Sequence, residues 1–266
     1  MRASFALATA ITPDAGTPGR YAAVVPDGWD IAGNTNGGVL LAIAGRALLV
    51  ATGRADPVTM TAHYLTPARP GPVTIDTTVL KSGRRFATAT ATVTADDRPV
   101  LTVVGTCGTL TAEPLALLVV GGPPALPPPE DCVALHTPEA PPFYDCVDVR
   151  LHPDDAGFRD GTPSGHPRVR GWFRLRDEPA DPIALLCAVD GFPPTTFNAR
   201  LPVSWTPTVE LTAHVRARPA DGWLACGFVT RFVSGGLLEV DAEVWDRTGT
   251  LVAQSRQLAL VPDAGE

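Results

Sequence analysis

Residues Val58 to Thr106 read VTMTAHYLTPARPGPVTIDTTVLKSGRRFATATATVTADDRPVLTVVGT, and a second copy of this pattern lies further along the chain. Adding 151 to each residue number, without a gap, gives Val209 to Gln257, VELTAHVRARPADGWLACGFVTRFVSGGLLEVDAEVWDRTGTLVAQSRQ. Thr61 then falls on Thr212, and each of the three turn regions falls on another turn region. Breaks that recur at a fixed spacing are the signature of an internally duplicated fold.

Within each copy, residue types alternate along runs long enough to form β-strands. Phe86 to Thr94 reads FATATATVT, and Leu238 to Trp245 reads LEVDAEVW. Strict two-residue alternation bounded by Gly, Pro and Asp predicts antiparallel strands with one buried face. Each copy is therefore predicted to form a four-stranded meander.

A buried helix is predicted in front of each copy. Val39 to Thr52, VLLAIAGRALLVAT, is apolar on all sides apart from Arg46, and Gly53 follows it as a stop signal. Asp181 to Asp190, DPIALLCAVD, opens with the Asp and Pro that helix starts favour. Since the first of these segments has no polar face, the meander is expected to wrap around it.

A long buried helix enclosed by a curved antiparallel sheet is the hot-dog arrangement, and here it is predicted twice. The fold class is therefore α+β, a double hot-dog in which two curved antiparallel sheets each wrap a long central helix. We expect an N-terminal hot-dog domain at residues 1–115, a Pro-rich linker at 116–145 and a C-terminal hot-dog domain at 146–266. The proline-rich core of the linker, Gly121 to Pro142, predicts an extended segment without regular structure. Two strands, Val147 to Leu151 and Val169 to Leu175, would open the second domain.

The composition restricts the class of protein. A chain of 266 residues with 45% hydrophobic and 18% charged residues is typical of a globular protein with two domains. A net charge of −7 gives no support for a nucleic-acid or membrane surface. The chain has no run of about 18 apolar residues, which a membrane helix requires.

Cysteine usage and the first residues bear on the cellular location. The five cysteines are an odd number without paired spacing, which favours free thiols and a reducing cytoplasm. The opening MRASFALATA has one positive charge before a short apolar run, as a signal peptide would, but Thr9 and Pro13 interrupt it. We predict that this segment is a first strand.

Several classes of catalyst find no support in the sequence. No Gly-x-Ser-x-Gly elbow, metal-ligand spacing or glycine-rich phosphate loop is present, so we expect no metal and no cofactor. Hot-dog hydratases and dehydratases carry an Asp and a His close together on the helix segment, and neither predicted helix contains a His. His63 and His214 repeat at one position, but no acid stands near them at metal or triad spacing, so we interpret both as structural.

Several short motifs follow one another along the chain. They are the Gly37-Gly38 helix start, AHYLTPARPGPV at 62–73, LKSGRR at 80–85, ATATVTADDRPVLT at 89–102, VDGFPP at 189–194 and GTLVAQSRQLAL at 249–260. Their order resembles the acyl-CoA thioesterase II-like (TesB-like) double hot-dog family, and the resemblance covers nearly the whole chain except the linker and the last residues.

The resemblance implies hydrolysis of a thioester by a water molecule that an Asp, a Thr or Ser, and a Gln of the second half hold. Asp190 matches the family Asp, and Gln257 matches the Gln. An ungapped match puts Pro207 on the hydroxyl position, so either Thr206 or Thr208 must supply the hydroxyl; we favour Thr208. A general base and two groups that orient the water suit a thioester, which needs no covalent nucleophile.

The two copies differ at these positions. The spacing of 151 places Val39 and Thr106 of the first copy on Asp190 and Gln257 of the second, so the second half is predicted to be the active one. The family often has Asp-His just after its Thr, whereas this chain has Val209-Glu210.

Further residues are predicted to contact the substrate. Backbone N–H groups of Gly37 and Gly38, at a helix start, could stabilise the oxyanion. Arg84 and Arg85, in a basic turn, could meet the phosphates of CoA, although such a turn is usually just solvated. Phe192 begins FPPTTF, which is expected to line the mouth of an acyl tunnel.

The sequence thus predicts an enzyme whose partner is an acyl-CoA, which it hydrolyses to free acid and CoA. The alternative is a catalytically degenerate hot-dog protein that binds acyl-CoA or acyl chains without turnover, and a third is a purely structural assembly. Small outward residues such as Thr88, Thr90 and Thr92 would let two chains pair as a homodimer of double hot-dogs.

Overall fold

The structure is a computed structural model that describes residues 3–111, 118–199, 201 and 203–261. The boundary predicted between residues 115 and 116 lies outside this range. The first half contains the following helices and strands: α1 (Phe5–Ala8), β1 (Thr12–Pro13), β2 (Arg20–Val25), β3 (Asp30–Ile31), β4 (Asn34–Thr35), α2 (Gly37–Thr52), β5 (Asp56–Tyr64), β6 (Gly71–Ser82), β7 (Ala87–Ala95) and β8 (Arg98–Gly108).

The second half repeats this layout with a shorter helix. Its elements are β9 (Val133–Ala134), α3 (Phe143–Cys146), β10 (Val147–Leu151), β11 (Arg168–Leu175), α4 (Ala184–Ala188), β12 (Thr208–Val215), β13 (Leu224–Val229), β14 (Val233–Ser234), β15 (Leu237–Trp245) and β16 (Leu251–Leu260). Four 3-10 helices accompany them, at Pro129–Asp131, Pro153–Asp155, Gly157–Asp160 and Thr195–Ala199.

Apart from β3 and β4, which pair only with each other, the strands form one 14-stranded sheet rather than the two separate sheets that the sequence predicted. Its order is β1-β2-β6-β7-β8-β5-β12-β16-β15-β13-β11-β10-β9, with β14 paired to β15. Each predicted meander is also wrong in one respect, because β5 lies beside β8 and not beside β6. The first strand of each copy therefore lies at the centre of the molecule, where β5 pairs with β12 and joins the two halves.

The junction of the halves is nearly symmetric. Strands β5 and β12 run antiparallel, and Thr61 is directly opposite Thr212, its counterpart in the repeat. The two hydroxyl oxygens are 3.0 Å apart. Each strand also has a register shift at the same place, around Val58 in β5 and around Val209 in β12. The duplication predicted from sequence is thus confirmed down to a shared bulge.

Helix α2 is the core of the first half. Asn36 caps its start by accepting a hydrogen bond from Val39 N–H at 3.2 Å, and Gly53 ends it in a left-handed conformation. The alanines of β7 face the helix and its threonines face outward, as the alternation predicted. Small side chains on this face allow a helix without a polar side to pack closely against the sheet.

Helix α4 is much shorter than predicted. Asp181 accepts a hydrogen bond from Ala184 N–H at 2.8 Å, but the helix extends only to Ala188, so the described residues of this half include no long central helix. The prolines that follow Phe192 cannot continue a helix, which explains why the chain turns away. Helices α2 and α4 nevertheless touch closely, because a Cβ on Gly38 would lie 2.9 Å from the Cα of Cys187.

Two further predictions about local structure are wrong. The N-terminal segment forms helix α1 and not a strand, because the Ser4 hydroxyl accepts from Leu7 N–H and caps the helix. The proline-rich segment contains the 3-10 helix at 129–131 and strand β9, which pairs with β10. Trp172 of β11 also donates its indole N–H to the carbonyl of Pro127, at 2.8 Å.

The strands predicted to open the second half occur at β10 and β11, and all five cysteines are buried, with no disulfide bond among them. Among the described residues, no helix has the length and apolar character needed to cross a membrane.

Candidate active site

A cavity of about 940 Å³ lies where the second half meets the start of α2. Its apolar wall includes Leu238 and Val240, which face inward from β15, together with an aromatic pair, Phe192 and Phe228, whose ring centroids are 4.8 Å apart. The first half contributes Tyr64, from the end of β5. Phe192 thus lies on the cavity wall.

Asp190 lies at the polar end of this cavity, just after α4. Its Oδ2 atom accepts a hydrogen bond from Gly38 N–H at 2.9 Å, and its Oδ1 atom accepts one from Gln257 Nε2 at 3.3 Å. Asn36 donates its amide N–H to the Asp190 carbonyl at 3.1 Å. The carboxylate therefore lies at the N-terminal end of α2, where the helix dipole and free N–H groups favour negative charge.

The close contact between Asp190 and the start of α2 requires glycine at positions 37 and 38. A Cβ on Gly37 would lie 2.9 Å from Asp190 Oδ2 and 2.8 Å from the Tyr64 ring, and a Cβ on Gly38 would meet the α4 backbone. Distances this short force a displacement of the neighbours. Glycine at both positions therefore lets the carboxylate reach the helix N-terminus.

Thr208 and Gln257 come together because they lie on neighbouring strands, β12 and β16. Gln257 Nε2 donates a hydrogen bond to the Thr208 hydroxyl. Thr206 instead donates to the Ser204 carbonyl at 3.2 Å. Of the two threonines left open by the sequence, Thr208 is thus the one in contact with Gln257, and Asp190, Thr208 and Gln257 form one hydrogen-bonded group on the cavity wall.

The environment of Asp190 changes its acidity. Burial raises the pKa of its carboxyl from 3.8 to about 6, while the hydrogen bonds from Gly38 and Gln257 oppose that rise. A carboxyl with a pKa of about 6 is largely ionised at neutral pH and can still hold a proton transiently. Both properties suit a general base.

Two residues of the first half were not singled out from the sequence. Tyr64 donates its hydroxyl proton to the Gly37 carbonyl at 3.0 Å, and Asn36 links the start of α2 to Asp190. Asn36 has a signal that could have identified it, because an Asn before a helix start is a preferred cap. Tyr64 follows His63 in an ordinary strand pattern, and no sequence signal marks its role.

Arg84 and Arg85 lie far from the cavity. Their hairpin contacts the other end of α2, where Arg54 donates to the Gly83 carbonyl, and Arg85 lies over the Phe86 ring at 5.0 Å. A 16-residue helix, about 24 Å long, separates that end from Gly37. Neither arginine lines the cavity, so the predicted contact with CoA phosphates has no support from their position.

The pairing of the strands shows that the sequence comparison matched Gln257 with the wrong residue of the first copy. The residues opposite Thr61 and Thr212 are Val104 and Arg256, so Gln257 corresponds to Gly105 and not to Thr106. The reason is one additional residue around the β15–β16 turn: Ala89 pairs with Gly105, 16 residues later, whereas its counterpart Val240 pairs with Gln257, 17 residues later.

The hydrogen bonds that cap the two helices show that Val39 was also matched with the wrong residue of the second half. Asn36 and Asp181 each accept from the N–H three residues later, which aligns Val39 with Ala184 and not with Asp190.

The remaining residues weighed from sequence lie outside the site. His63 and His214 are exposed on the outer face of the sheet. Glu210, which stands in place of the family Asp-His pair, accepts from the Thr212 hydroxyl at 2.6 Å and does not line the cavity. Across the part of the chain that the structure describes, no group of three or more His, Cys, Asp or Glu side chains could hold a metal ion.

The fold is that of a double hot-dog protein, and two family models identify its class. The model of the acyl-CoA thioesterase C-terminal domain matches residues 129–261, and that of the acyl-CoA thioesterase N-terminal domain matches residues 25–108. This chain belongs to the acyl-CoA thioesterase family. The predicted double hot-dog fold is therefore confirmed.

Similar proteins support this assignment. An uncharacterized protein of Mycobacterium tuberculosis (strain ATCC 25618 / H37Rv) is 32% identical, over 98% of this chain and 99% of the relative. The crystal structure of a candidate thioesterase II from Thermobifida fusca YX superposes with a TM-score of 0.88 at 34% identity, over 97% of both chains. An acyl-CoA thioesterase II from Mycobacterium marinum shares the fold, with a TM-score of 0.72 at 18% identity, over 99% of this chain and 100% of that one.

Proposed function

We propose that this protein hydrolyses an acyl-CoA thioester to the free acid and CoA, with a site formed by Asp190, Thr208 and Gln257. The observation that carries the proposal is the hydrogen-bonded contact of these three side chains on the wall of a largely apolar cavity. The cavity provides a place for an acyl group, and the polar end provides a base.

In the proposed reaction, Asp190 accepts a proton from a water molecule whose oxygen attacks the thioester carbonyl carbon. Thr208 and Gln257 orient that water, which lowers the entropic part of the barrier. The tetrahedral intermediate then breaks its carbon–sulfur bond, and the leaving thiolate takes the proton from Asp190. The products are a carboxylic acid and CoA, and the site returns to its starting state.

The oxyanion needs a hydrogen-bond donor near the same point. Gly38 N–H already donates to Asp190, so the donor that we propose is Gly37 N–H, the preceding amide at the start of α2. Gly37 also lines the cavity. This refines the earlier prediction, in which both glycines supplied the oxyanion donors.

The test is thiol release by the purified protein from a panel of short- to long-chain acyl-CoAs. We expect hydrolysis of at least one member, and we expect Asp190→Ala to lower kcat/KM by about 10²- to 10⁴-fold. The matched control is Asp76→Ala, which removes a carboxylate that pairs with Arg20 on the exposed surface of the first half. Failure of every acyl-CoA, or an unchanged rate in Asp190→Ala, would contradict the proposal.

Calorimetric titration with the same panel of acyl-CoAs distinguishes hydrolysis from the alternative function, binding without turnover. A protein that binds acyl-CoA without turnover would give a binding isotherm and no thiol release. A purely structural protein would give neither.

A further inference from the structure

The peptide group between Gly37 and Gly38 is held at both ends. Tyr64 donates its hydroxyl proton to the carbonyl oxygen of this peptide at 3.0 Å, and the N–H of the same peptide donates to Asp190 Oδ2 at 2.9 Å. A chain of hydrogen bonds therefore runs from a phenol of the first half, through one peptide group, to a carboxylate of the second half.

Hydrogen bonds that share a peptide group strengthen one another. A donor on the carbonyl oxygen withdraws electron density from the amide nitrogen, which makes its N–H a better donor. A stronger N–H bond to the ionised form of a carboxylate stabilises that form. The Tyr64 hydroxyl thus has a physical route to Asp190 without touching it.

The packing around Gly37 fixes this arrangement. A Cβ on Gly37 would lie 2.8 Å from Cε1 of the Tyr64 ring and 2.9 Å from Asp190 Oδ2, so ring and carboxylate flank the same small residue. Tyr64 is at the end of β5 and is paired with Leu101 of β8, which holds its backbone in the sheet. The contact between hydroxyl and peptide is therefore set by two rigid elements, β5 and α2.

We propose that Tyr64 is a positioning residue, which acts on Asp190 through the Gly37–Gly38 peptide and thereby couples the first half of the fold to the base in the second. The proposal deepens the proposed function and rests on it for the role of Asp190 as base. Tyr64 itself takes no part in proton transfer.

The other groups that face Asp190 keep one charge state while it titrates. Burial raises the pKa of Cys187 and of Tyr144 above their ordinary values, so both stay neutral near pH 6. Burial, reinforced by the charges of Asp190 and Glu210, does the same for Tyr64, which remains a donor. Asn36 and Gln257, the remaining side chains in contact with Asp190, do not titrate.

The test is a direct titration of the Asp190 carboxyl by NMR in protein carrying ¹³C-labelled aspartate. The Asp190 signal is identified by its loss in Asp190→Asn. In Tyr64→Phe we expect the midpoint to rise by about 0.5 to 1 pH unit, because the Gly38 N–H becomes a weaker donor. The control, Tyr21→Phe, removes a hydroxyl from a buried tyrosine of β2 outside the cavity and should leave the midpoint unchanged.

A second variant carries 3-fluorotyrosine at position 64, which keeps the ring in place and makes the phenol a stronger donor. Its midpoint should fall, opposite in sign to the shift in Tyr64→Phe, and this test remains valid if Tyr64→Phe does not fold. An unchanged midpoint in both variants, or equal shifts in Tyr64→Phe and Tyr21→Phe, would overturn the proposal.

The titration needs no substrate, so its result does not depend on thioesterase activity. If the protein hydrolyses acyl-CoA, the acidic limb of its kcat/KM profile should move in the same direction as the NMR midpoint in each variant. If it hydrolyses none, the proposed function fails and the titration still decides whether Tyr64 acts on Asp190.

Discussion

The two halves of this protein share one strand layout, but the first half has a packed core where the second half has a cavity. In the first half, α2 runs for 16 residues and fills the concave face of the sheet against the alanines of β7. In the second half, α4 stops after five residues, and Leu238 and Val240 of β15, the counterparts of Ala87 and Ala89, line a cavity instead. The cavity occupies the place that a longer helix would fill.

Gly105 and Gln257 show the difference at a single position. Both face inward from equivalent strands, but a Cβ on Gly105 would lie 2.5 Å from Met60 Sδ and 2.6 Å from Leu48 Cδ1. In the first half, core side chains fill the space beside this position. In the second half, the same position carries an amide that bonds to Asp190 and Thr208. A duplicated scaffold thus supports a packed core on one side and a polar site on the other, depending on where its helix ends.

Among changes that test this comparison of Gly105 with Gln257, the largest effect is expected when the second half is made apolar like the first. Gln257→Leu keeps roughly the volume of the side chain and removes both hydrogen bonds to the proposed site. We expect kcat/KM to fall by about 10²-fold, or about 2.7 kcal/mol of transition-state stabilisation, because the water loses one of its orienting groups. Steady-state thiol release measures this effect.

The control for this variant is Gln254→Leu, on the outward face of β16 opposite His214. It makes the same chemical change three residues away without touching the cavity. Equal losses in the two variants would mean that Gln257 acts through the sheet and not through the site.

The second effect tests the packed half. Gly105→Ala adds a methyl group where Met60 and Leu48 already lie in contact, so we expect the free energy of unfolding to fall by about 1 to 3 kcal/mol. Urea denaturation measures it. Gly122→Ala in the linker adds the same methyl in open space and should change stability by no more than about 0.5 kcal/mol. If Gly105→Ala leaves the free energy of unfolding unchanged, the first half has room for a methyl group at this position.

Much of the fold could be predicted because strand alternation depends on residues close in sequence. The alternating run in β7 predicts which face is buried, and the repeat predicts the pairing of equivalent elements. The apolar run of α2 and its glycine stop predict the helix within two residues. Asp190, Thr208 and Gln257 were chosen by resemblance, and the structure brings these three side chains together.

The errors in the prediction arose where the two copies differ in segment length, which an ungapped comparison cannot detect. Because paired positions are one residue further apart around the β15–β16 turn, an ungapped comparison assigns every later side chain to the wrong face, which is why Thr106 was mistaken for the counterpart of Gln257. Helix α4 ends at Ala188, two residues before the predicted Asp190, and no Gly or Pro stands between these positions to mark the earlier end. Tyr64 contacts Gly37 only through the tertiary fold, so no local pattern could predict it.

The third effect is the pH dependence of kcat/KM, which should come from Asp190 in the second half. With the pKa of Asp190 at about 6, the base is mostly ionised at pH 7.5 and about one-tenth ionised at pH 5. We expect kcat/KM to fall about tenfold between these two values, with a single acidic limb. A flat profile from pH 5 to 7.5 would be inconsistent with Asp190 as the base.

The same carboxyl should affect stability with the opposite dependence on pH. Its pKa is higher in the folded state than the value of 3.8 that applies when unfolded, so the folded protein binds the proton more tightly. The free energy of unfolding therefore falls as pH rises from about 4 to about 6, by no more than about 3 kcal/mol. Asp190→Asn should remove this dependence, and urea denaturation at pH 5 and pH 7.5 would reveal it.

The smallest effect concerns the junction where the two halves are most alike. Thr212→Val should lower the free energy of unfolding by about 0.5 to 1.5 kcal/mol, because the Thr61 hydroxyl loses its acceptor at a partly buried position. Thr61→Val should cost less, because the Thr212 hydroxyl keeps its hydrogen bond to Glu210. The double variant should cost less than the sum of the two, since the Thr61 hydroxyl is then not left unpaired. Thr90→Val, on the outward face of β7, controls for the loss of a hydroxyl elsewhere on the sheet. A clear coupling would mean that this hydroxyl pair helps to join the halves, whereas strict additivity would remove Thr61 and Thr212 from the contacts that hold the halves together.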